Sequence, residues 1–353
     1  MAEKQMETKI FNISPDSVDE SAIEECAKII KNGGLVALPT ETVYGLGADA
    51  TDKAAAARIY AAKGRPSDNP LIIHVAYPKD AEKYAFTDSL YYKLADAFMP
   101  GPLTVILPKR DTVPFEVTGG LDSVAVRCPA HPIAHRLIRA AGVAVAAPSA
   151  NLSGSPSPTC GEHVISDLFG KVDAIINGGE CDIGLESTIV KIDGDRLILL
   201  RPGAITADAL HCVCEKVEIA PAVTETLAEN ERPLSPGMKY RHYAPSIPLV
   251  LLKGEAKTVS EFLKTAQSKE RCAILCYDEE ASELAPEGLI NIGAMDDLAV
   301  QAQRLFAALR SADKLHCDII YAHLPPKDGM GLALYNRLIR AAAHTVLDLT
   351  ETD

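Results

Sequence analysis

An apolar strand that runs straight into a proline, two threonines, a tyrosine and two glycines constrains this chain more than any other stretch: Gly33-Gly34-Leu35-Val36-Ala37-Leu38-Pro39-Thr40-Glu41-Thr42-Val43-Tyr44-Gly45-Leu46-Gly47-Ala48-Asp49-Ala50. The pattern predicts a strand feeding a ligand loop. In such a loop Gly45 and Gly47 would let main-chain N–H groups approach a substrate, and Thr40, Thr42 and Tyr44 would supply hydroxyls. Gly45-Leu46-Gly47 opens like a dinucleotide fingerprint but meets Ala50 where a third glycine should stand, so a nucleotide-binding reading does not follow from it alone.

Around this stretch, helical and strand patterns alternate. Residues 17–32 carry apolar positions three and four apart, early acids, late lysines and a Gly-Gly stop, which predicts a helix. Strand-like runs recur at 35–38, 71–76, 103–107, 123–127, 143–147, 173–176, 187–192 and 196–200. Helical patterns lie at 51–62 (Thr51 as the cap), 88–98, 131–141 and 161–168. This alternation predicts an α/β domain with a mixed sheet over residues 1–215. Residues 216–247 turn Pro- and Glu-rich without periodicity and read as a linker. From 248 to 353, strand, helix, strand, helix, strand, helix predicts a small three-layer Rossmann-like α/β domain with a parallel sheet. Gly329-Met330-Gly331 reads as a helix entry that needs flexible backbone geometry.

Composition narrows the function. The formal net charge of the 353 residues is −13 and both halves are acidic, which disfavours stable direct nucleic-acid binding. Against that background Lys63, Arg65 and Arg201 adjoin Gly or Pro, and Arg127, Lys239 and Arg241 lie within four residues of one, a loop-like setting that suits an isolated cationic pocket for a small anion. Nine cysteines lack the paired spacing of a zinc site and read as reduced thiols. No apolar run reaches membrane-helix length and the N-terminal segment has no apolar signal core, so a cytoplasmic, membrane-free protein is expected.

Further blocks come in order: Lys63-Gly64-Arg65-Pro66-Ser67-Asp68-Asn69-Pro70 to His74; Pro100-Gly101-Pro102-Leu103-Thr104; Val124 to Pro132 with Arg127 and His131; Ala147-Pro148-Ser149-Ala150-Asn151; Glu186-Ser187-Thr188; and Leu200-Arg201-Pro202-Gly203. Their order and wording resemble the threonylcarbamoyl-AMP synthase family, whose catalytic unit has the YrdC-like fold, over residues 15 to 210. Ser235-Pro236-Gly237-Met238-Lys239-Tyr240-Arg241-His242-Tyr243-Ala244-Pro245, together with residues 246–353, resembles the longer two-domain form of that family. The resemblance implies a twisted mixed sheet curled around a concave cavity. It also implies a linker that folds over the cavity as a lid, with Tyr240 and His242 as contacts.

No Gly-x-x-x-x-Gly-Lys-Ser/Thr occurs, so a triphosphate would be met by side chains, with arginine forks better suited to it than lysine. Lys63 and Arg65, two apart, would project together if their segment is extended. Ser149 and Asn151 emerge where an apolar strand ends, a usual ligand position in open sheets. A nucleophilic serine is disfavoured because the Gly-x-Ser-x-Gly elbow is missing, and His131 and His135 read as structural helix residues. The resemblance implies that L-threonine, bicarbonate and ATP give threonylcarbamoyl-AMP and pyrophosphate, and that a separate transferase passes the product to tRNA. It implies threonine-binding positions at Thr42, His74, Arg127, the Ala147 main chain and Ser187. Nucleotide-binding positions would be Arg65, Asn69, Ser123, Ser149, Ser157 and Arg201, with Lys63 and Arg65 as catalytic cations. Magnesium accompanying ATP is expected, its protein ligands undetermined among Glu41, Asp68 and Glu186, and no tightly bound organic cofactor is expected. Two other functions stay open: a carbamoyl-adenylate-using transferase of hydrogenase maturation, and a non-catalytic RNA-binding or regulatory module.

Overall fold

The structure is a computed structural model and describes residues 6–225 and 242–350. Lys239, Tyr240 and Arg241 therefore lie outside the described residues. The chain divides into two compact units, one holding residues 6–153 and 157–225, the other 154–156 and 242–350.

The first unit is built on eleven strands: β1 (Lys9–Asn12), β2 (Val36–Leu38), β3 (Gly45–Asp49), β4 (Ile72–His74), β5 (Leu103–Pro108), β6 (Ser123–Arg127), β7 (Val145–Ala146), β8 (Ala174–Asn177), β9 (Thr188–Asp193), β10 (Arg196–Arg201) and β11 (Val217–Ile219). They form one mixed sheet in the order β1-β8-β2-β3-β7-β4-β6-β5-β9-β10-β11. Seven helices accompany it: α1 (Glu20–Lys31), α2 (Lys53–Lys63), α3 (Ser89–Phe98), α4 (Phe115–Thr118), α5 (Pro132–Ala141), α6 (Gly161–Leu168) and α7 (Ala207–His211). The strands and helices expected between residues 17 and 201 are present. β11 carries the sheet beyond residue 215, where the sequence suggested only a linker.

Three local readings need correction. Gly45-Leu46-Gly47 is not loop but strand, paired antiparallel with β2. Its glycines serve packing. A Cβ on Gly47 would come within 2.8 Å of Val145 Cγ1 and 2.9 Å of Leu38 Cδ2, so only hydrogen lets the neighbouring side chains close over the strand. The cap of α2 is Asp52, whose carboxylate accepts the N–H of Ala54, while the Thr51 hydroxyl donates to Asp49. Finally, residues 63–65 are not extended, because α2 runs through Lys63 and stops at Gly64 in the left-handed conformation (φ 61°).

Side-chain alternation divides the centre of the sheet. Ile73, Val126, Val105, Val190 and Leu199 join the large buried cluster on one face. Ile72, Ala125, Ile106, Ile189 and Leu200 form a small cluster on the other. His74, Arg127 and Thr104 lie two residues from Ile72, Ala125 and Ile106, so they share that second face.

The second unit has five parallel strands, β12 (Leu249–Lys253), β13 (Cys272–Cys276), β14 (Leu289–Asn291), β15 (Ile319–His323) and β16 (Val346–Asp348), in the order β14-β13-β15-β12-β16. Helices α8 (Ala256–Lys269), α9 (Leu298–Ala312) and α10 (Gly331–Ala341) accompany them. Parallel pairing fits the apolar runs of the inner strands, buried along most of their length. The two edge strands β14 and β16 were not foreseen; each has three residues, and none of the six is buried. Gly329 adopts φ 45°, and a Cβ on Gly331 would meet Pro326 Cγ at 2.5 Å, so both glycines of the helix entry have a steric reason. Tyr243 is buried in this unit, stacked on Phe306 at 5.2 Å, and His242 tilts against it at 5.6 Å.

Candidate active site

Strand register builds a transverse row. Val145 pairs with His74, His74 with Arg127, Arg127 with Thr104, Thr104 with Ile189 and Ile189 with Arg201. Laterally paired residues project to the same face, so groups far apart in sequence line up across six strands. Arg201 reaches the row through a β-bulge between Leu199 and Arg201. Two residues of β10 oppose one of β9 there, and without the extra residue Arg201 would face the opposite side.

The row is wired by hydrogen bonds. Arg127 Nη1 donates to Thr42 Oγ1 (2.8 Å) and Nε to the Gly101 carbonyl (3.3 Å), and Nη2 forms an ion pair with Glu41 Oε1 at 2.7 Å. Thr104 Oγ1 and Ser187 Oγ are 2.7 Å apart, and Arg201 donates from Nε to the Ser187 carbonyl (3.0 Å) and from Nη2 to Ser187 Oγ (3.2 Å). Thr42, Glu41, His74, Thr104, Arg127, Ser187 and Arg201 are all buried. The turn that presents Thr42 is closed by Thr40, whose hydroxyl donates to the Val43 carbonyl and accepts the N–H groups of Thr42 and Val43.

Charge states are set by these surroundings. Burial, with Arg127 next, pushes His74 down to about 3, so its imidazole is neutral. Its Nδ1 stands 3.3 Å from the Val145 carbonyl, a partner that favours the proton on Nδ1 and leaves Nε2 as an acceptor. Burial raises the Glu41 pKa, but the charge and contact of Arg127 outweigh it and the net shift is downward, so Glu41 is an anion.

A second group lies at the end of α2. Lys63, 2% exposed, donates from Nζ to the carbonyls of Ser149 and Asn151, both at 2.5 Å. Ser149 Oγ in turn donates to Asn151 Oδ1 (2.5 Å), so its hydroxyl is part of a rigid turn and is not poised beside a base. Beyond Gly64, half-buried Arg65 donates to the carbonyls of Asn69 and Pro70. Lys63 and Arg65 thus have different partners. The buried Asn69 keeps its Oδ1 without a hydrogen-bond donor. Ser157 Oγ donates to Glu186 Oε1, one residue before Ser187. The Ala147 N–H is committed to the Ile72 carbonyl.

The predicted positions therefore fall into sets. Thr42, His74, Arg127, Ser187 and Arg201 meet on one face, and Lys63 and Ser149 share a turn. Ser123 stands apart at the other end of β6, about 13 Å along the strand from Arg127. Thr104 was missed as a site group because it reads as one residue of an ordinary apolar strand. His131 is the residue before α5, buried, with Nδ1 lacking a hydrogen-bond partner. Among the described residues no group of three His, Cys, Asp or Glu could hold a metal ion. Of the carboxylates named for magnesium, Glu41 pairs with Arg127 and Glu186 accepts from Ser157. Also among the described residues, no helix is long and apolar enough to cross a membrane.

A mixed sheet with a buried row of arginines and hydroxyls defines an α/β protein equipped to hold a small anionic ligand. Comparison with known proteins makes the class definite. The family model described as "Telomere recombination", of Sua5, YciO and YrdC, matches residues 28–203, and that of the "Threonylcarbamoyl-AMP synthase, C-terminal domain" matches 205–343. Threonylcarbamoyl-AMP synthase of Bacillus subtilis is 42% identical over 334 residues, covering 94% of this chain and 96% of that one. The Pyrococcus abyssi protein of the same name is 42% identical over 350 residues, covering 96% and 99%. The crystal structure of P. abyssi Sua5 complexed with L-threonine superposes with a TM-score of 0.88 at 41% identity, covering 97% of this chain and 99% of that one. The chain belongs to the threonylcarbamoyl-AMP synthase family and is an enzyme.

Proposed function

We propose that the protein is an L-threonylcarbamoyladenylate synthase, a nucleotidyltransferase that uses L-threonine, bicarbonate and ATP. The nitrogen of threonine bonds to the carbon of bicarbonate and water leaves, or to that of carbon dioxide and a proton leaves. An oxygen of the resulting carbamate then attacks the α-phosphorus of ATP, and the bond to pyrophosphate breaks. Magnesium enters with ATP as part of the substrate. The product serves a separate transferase that modifies tRNA.

The observation that carries this reading is the row Arg201, Thr104, Arg127, His74 in a chain of near full-length identity to named synthases. Arg127 offers a fixed guanidinium to the amino-acid carboxylate, with Thr42 and Ser187 as hydroxyl partners. Neutral His74 offers an uncharged acceptor near the amine, which must itself be neutral to attack. Arg201, Arg65 and Asn69 supply donors and an acceptor for the nucleotide, with Ser123, Ser149 and Ser157 as further candidates. Lys63 acts by holding the Ser149–Asn151 turn. Such a site works by holding reactants in line and stabilising charge on phosphate oxygens, with no covalent intermediate on the protein.

The test is to incubate the purified chain with ATP, magnesium, bicarbonate and labelled L-threonine. Expected are equimolar pyrophosphate and a threonine-containing adenylate, both lost when threonine or bicarbonate is omitted. Pyrophosphate release that ignores threonine would overturn the assignment.

A further inference from the structure

Three buried groups of the site lack well-directed hydrogen-bond partners: both carboxylate oxygens of Glu41, Nη2 of Arg127 and Nδ1 of His131. Native interiors leave few such atoms, and each asks for a reason. Glu41 and Arg127 are 7% and 4% exposed, and Oε1 stands 2.7 Å from Nη2. Burying an ion pair costs desolvation that its attraction recovers only in good geometry, and an apolar pair of equal volume is often as stable. Fold stability is therefore a weak explanation for this pair.

The geometry points to Glu41 as the positioning residue of Arg127. It rests on the synthase reading, in which Arg127 receives the amino-acid carboxylate. A guanidinium has one plane, and two hydrogen bonds and one close charge contact on its three nitrogens hold it: the Gly101 carbonyl on Nε, Thr42 Oγ1 on Nη1 and the Glu41 carboxylate beside Nη2. Of these, Glu41 is the only charged one. Its own backbone is held, since the Thr40 hydroxyl closes the turn after it and the N–H of Ile183 donates to its carbonyl at 2.9 Å. Arg127 acts electrostatically on the Glu41 carboxylate, and the charges of Glu41 and Asp182 act on His131. Burial holds the His131 pKa below its usual range. A neutral His131 leaves the carboxylate to Arg127. The Pro39-Thr40-Glu41-Thr42 turn then has a purpose that its loop-like wording concealed: Thr40 shapes it, Thr42 and Glu41 grip two terminal nitrogens of one arginine from across the sheet.

The test is steady-state kinetics on the full chain with Glu41→Gln, which keeps shape and removes charge, and Glu41→Asp, which keeps charge and shortens reach. In both, the KM for threonine should rise, at least tenfold in Glu41→Gln and less in Glu41→Asp. The KM for ATP should stay within about twofold, since Arg201 and Arg65 do not depend on Glu41. A merely structural role would lower the amount of folded protein and leave both KM values alone. A folded Glu41→Gln variant whose threonine KM is unchanged or lower, or whose threonine and ATP KM values rise together, would overturn the inference. If Glu41→Gln does not fold, Glu41→Asp decides by the same split. Absence of threonine-dependent pyrophosphate release in the unsubstituted chain would instead sink the synthase reading and this inference with it.

Discussion

The two units differ in how many polar groups they bury. Among the described residues, the first unit encloses Thr40, Glu41, Thr42, Lys63, Asn69, His74, Arg127, Asn151, Ser157, Glu186, Ser187 and Arg201, several of them along the polar row. The second buries Glu280, Gln301, Asn336 and Arg337. There Glu280 is matched to His323 at 2.8 Å, and Gln301 donates to the carbonyls of Ala294 and Met295. Spare hydrogen-bonding capacity occurs in both units, for example at Asn69 Oδ1 and the Glu41 carboxylate in the first and at Ser260 Oγ in the second. In the first unit that capacity includes Glu41, in contact with Arg127 of the polar row, and a buried polar atom left short of partners costs stability that a bound ligand restores.

The largest expected effect sharpens that contrast. Arg201→Ala should lower kcat/KM for adenylate formation by about 100-fold or more, the scale for removing a preorganised donor from developing charge. Circular dichroism should show an intact fold; near wild-type turnover would break the assignment of charge handling to this face. Next, Ile274→Ala, in the core of β13, should destabilise the second unit by roughly 2–5 kcal/mol in denaturant unfolding. Activity per folded molecule should stay within about twofold, and a proportionate loss of kcat would show that this unit contributes to the chemistry.

A smaller effect concerns pH. The pKa of His74 is about 3 in the fold and its ordinary value is 6.5, so the unfolded chain takes up this proton first as pH falls. Its contribution to stability is therefore complete above about pH 6.5 and declines below it, by at most about 1.4 kcal/mol per pH unit, until about pH 3. Urea titrations at pH 7, 6 and 5 should show a slope that flattens in His74→Gln; an unchanged slope would mean that the imidazole is not held neutral. Smallest of all, Asp52→Ala should cost about 1 kcal/mol as the lost cap of α2, while Thr51→Ala should cost a few tenths. Reversal of that order would return the cap to Thr51.

Much of this was legible in the sequence, for reasons particular residues make plain. Helix α1 announced itself through its apolar spacing, with Gly33 ending it at φ 76°. Strand β3 was hidden because glycines that signal turns were chosen there for close packing against Val145 and Leu38. Edge strands β1, β11, β14 and β16 each have only three or four residues and few or no buried positions, so no apolar run marks them. Thr42, His74, Arg127, Ser187 and Arg201 were named through family resemblance. Their alignment was not readable, since it depends on strand order and on one bulge at the end of β10. The extended reading of residues 63–65 failed for a local reason: the helix continues further than the Lys-Gly-Arg spelling suggests, which aims the Lys63 ammonium at the 149–151 turn.

The most direct test of the polar row as the substrate site is a crystal structure of the full chain with L-threonine bound. The account predicts its carboxylate against Arg127, with the Thr42 and Ser187 hydroxyls within hydrogen-bond reach. Threonine bound elsewhere, with Arg127 making only its contacts to Glu41, Thr42 and Gly101, would contradict it.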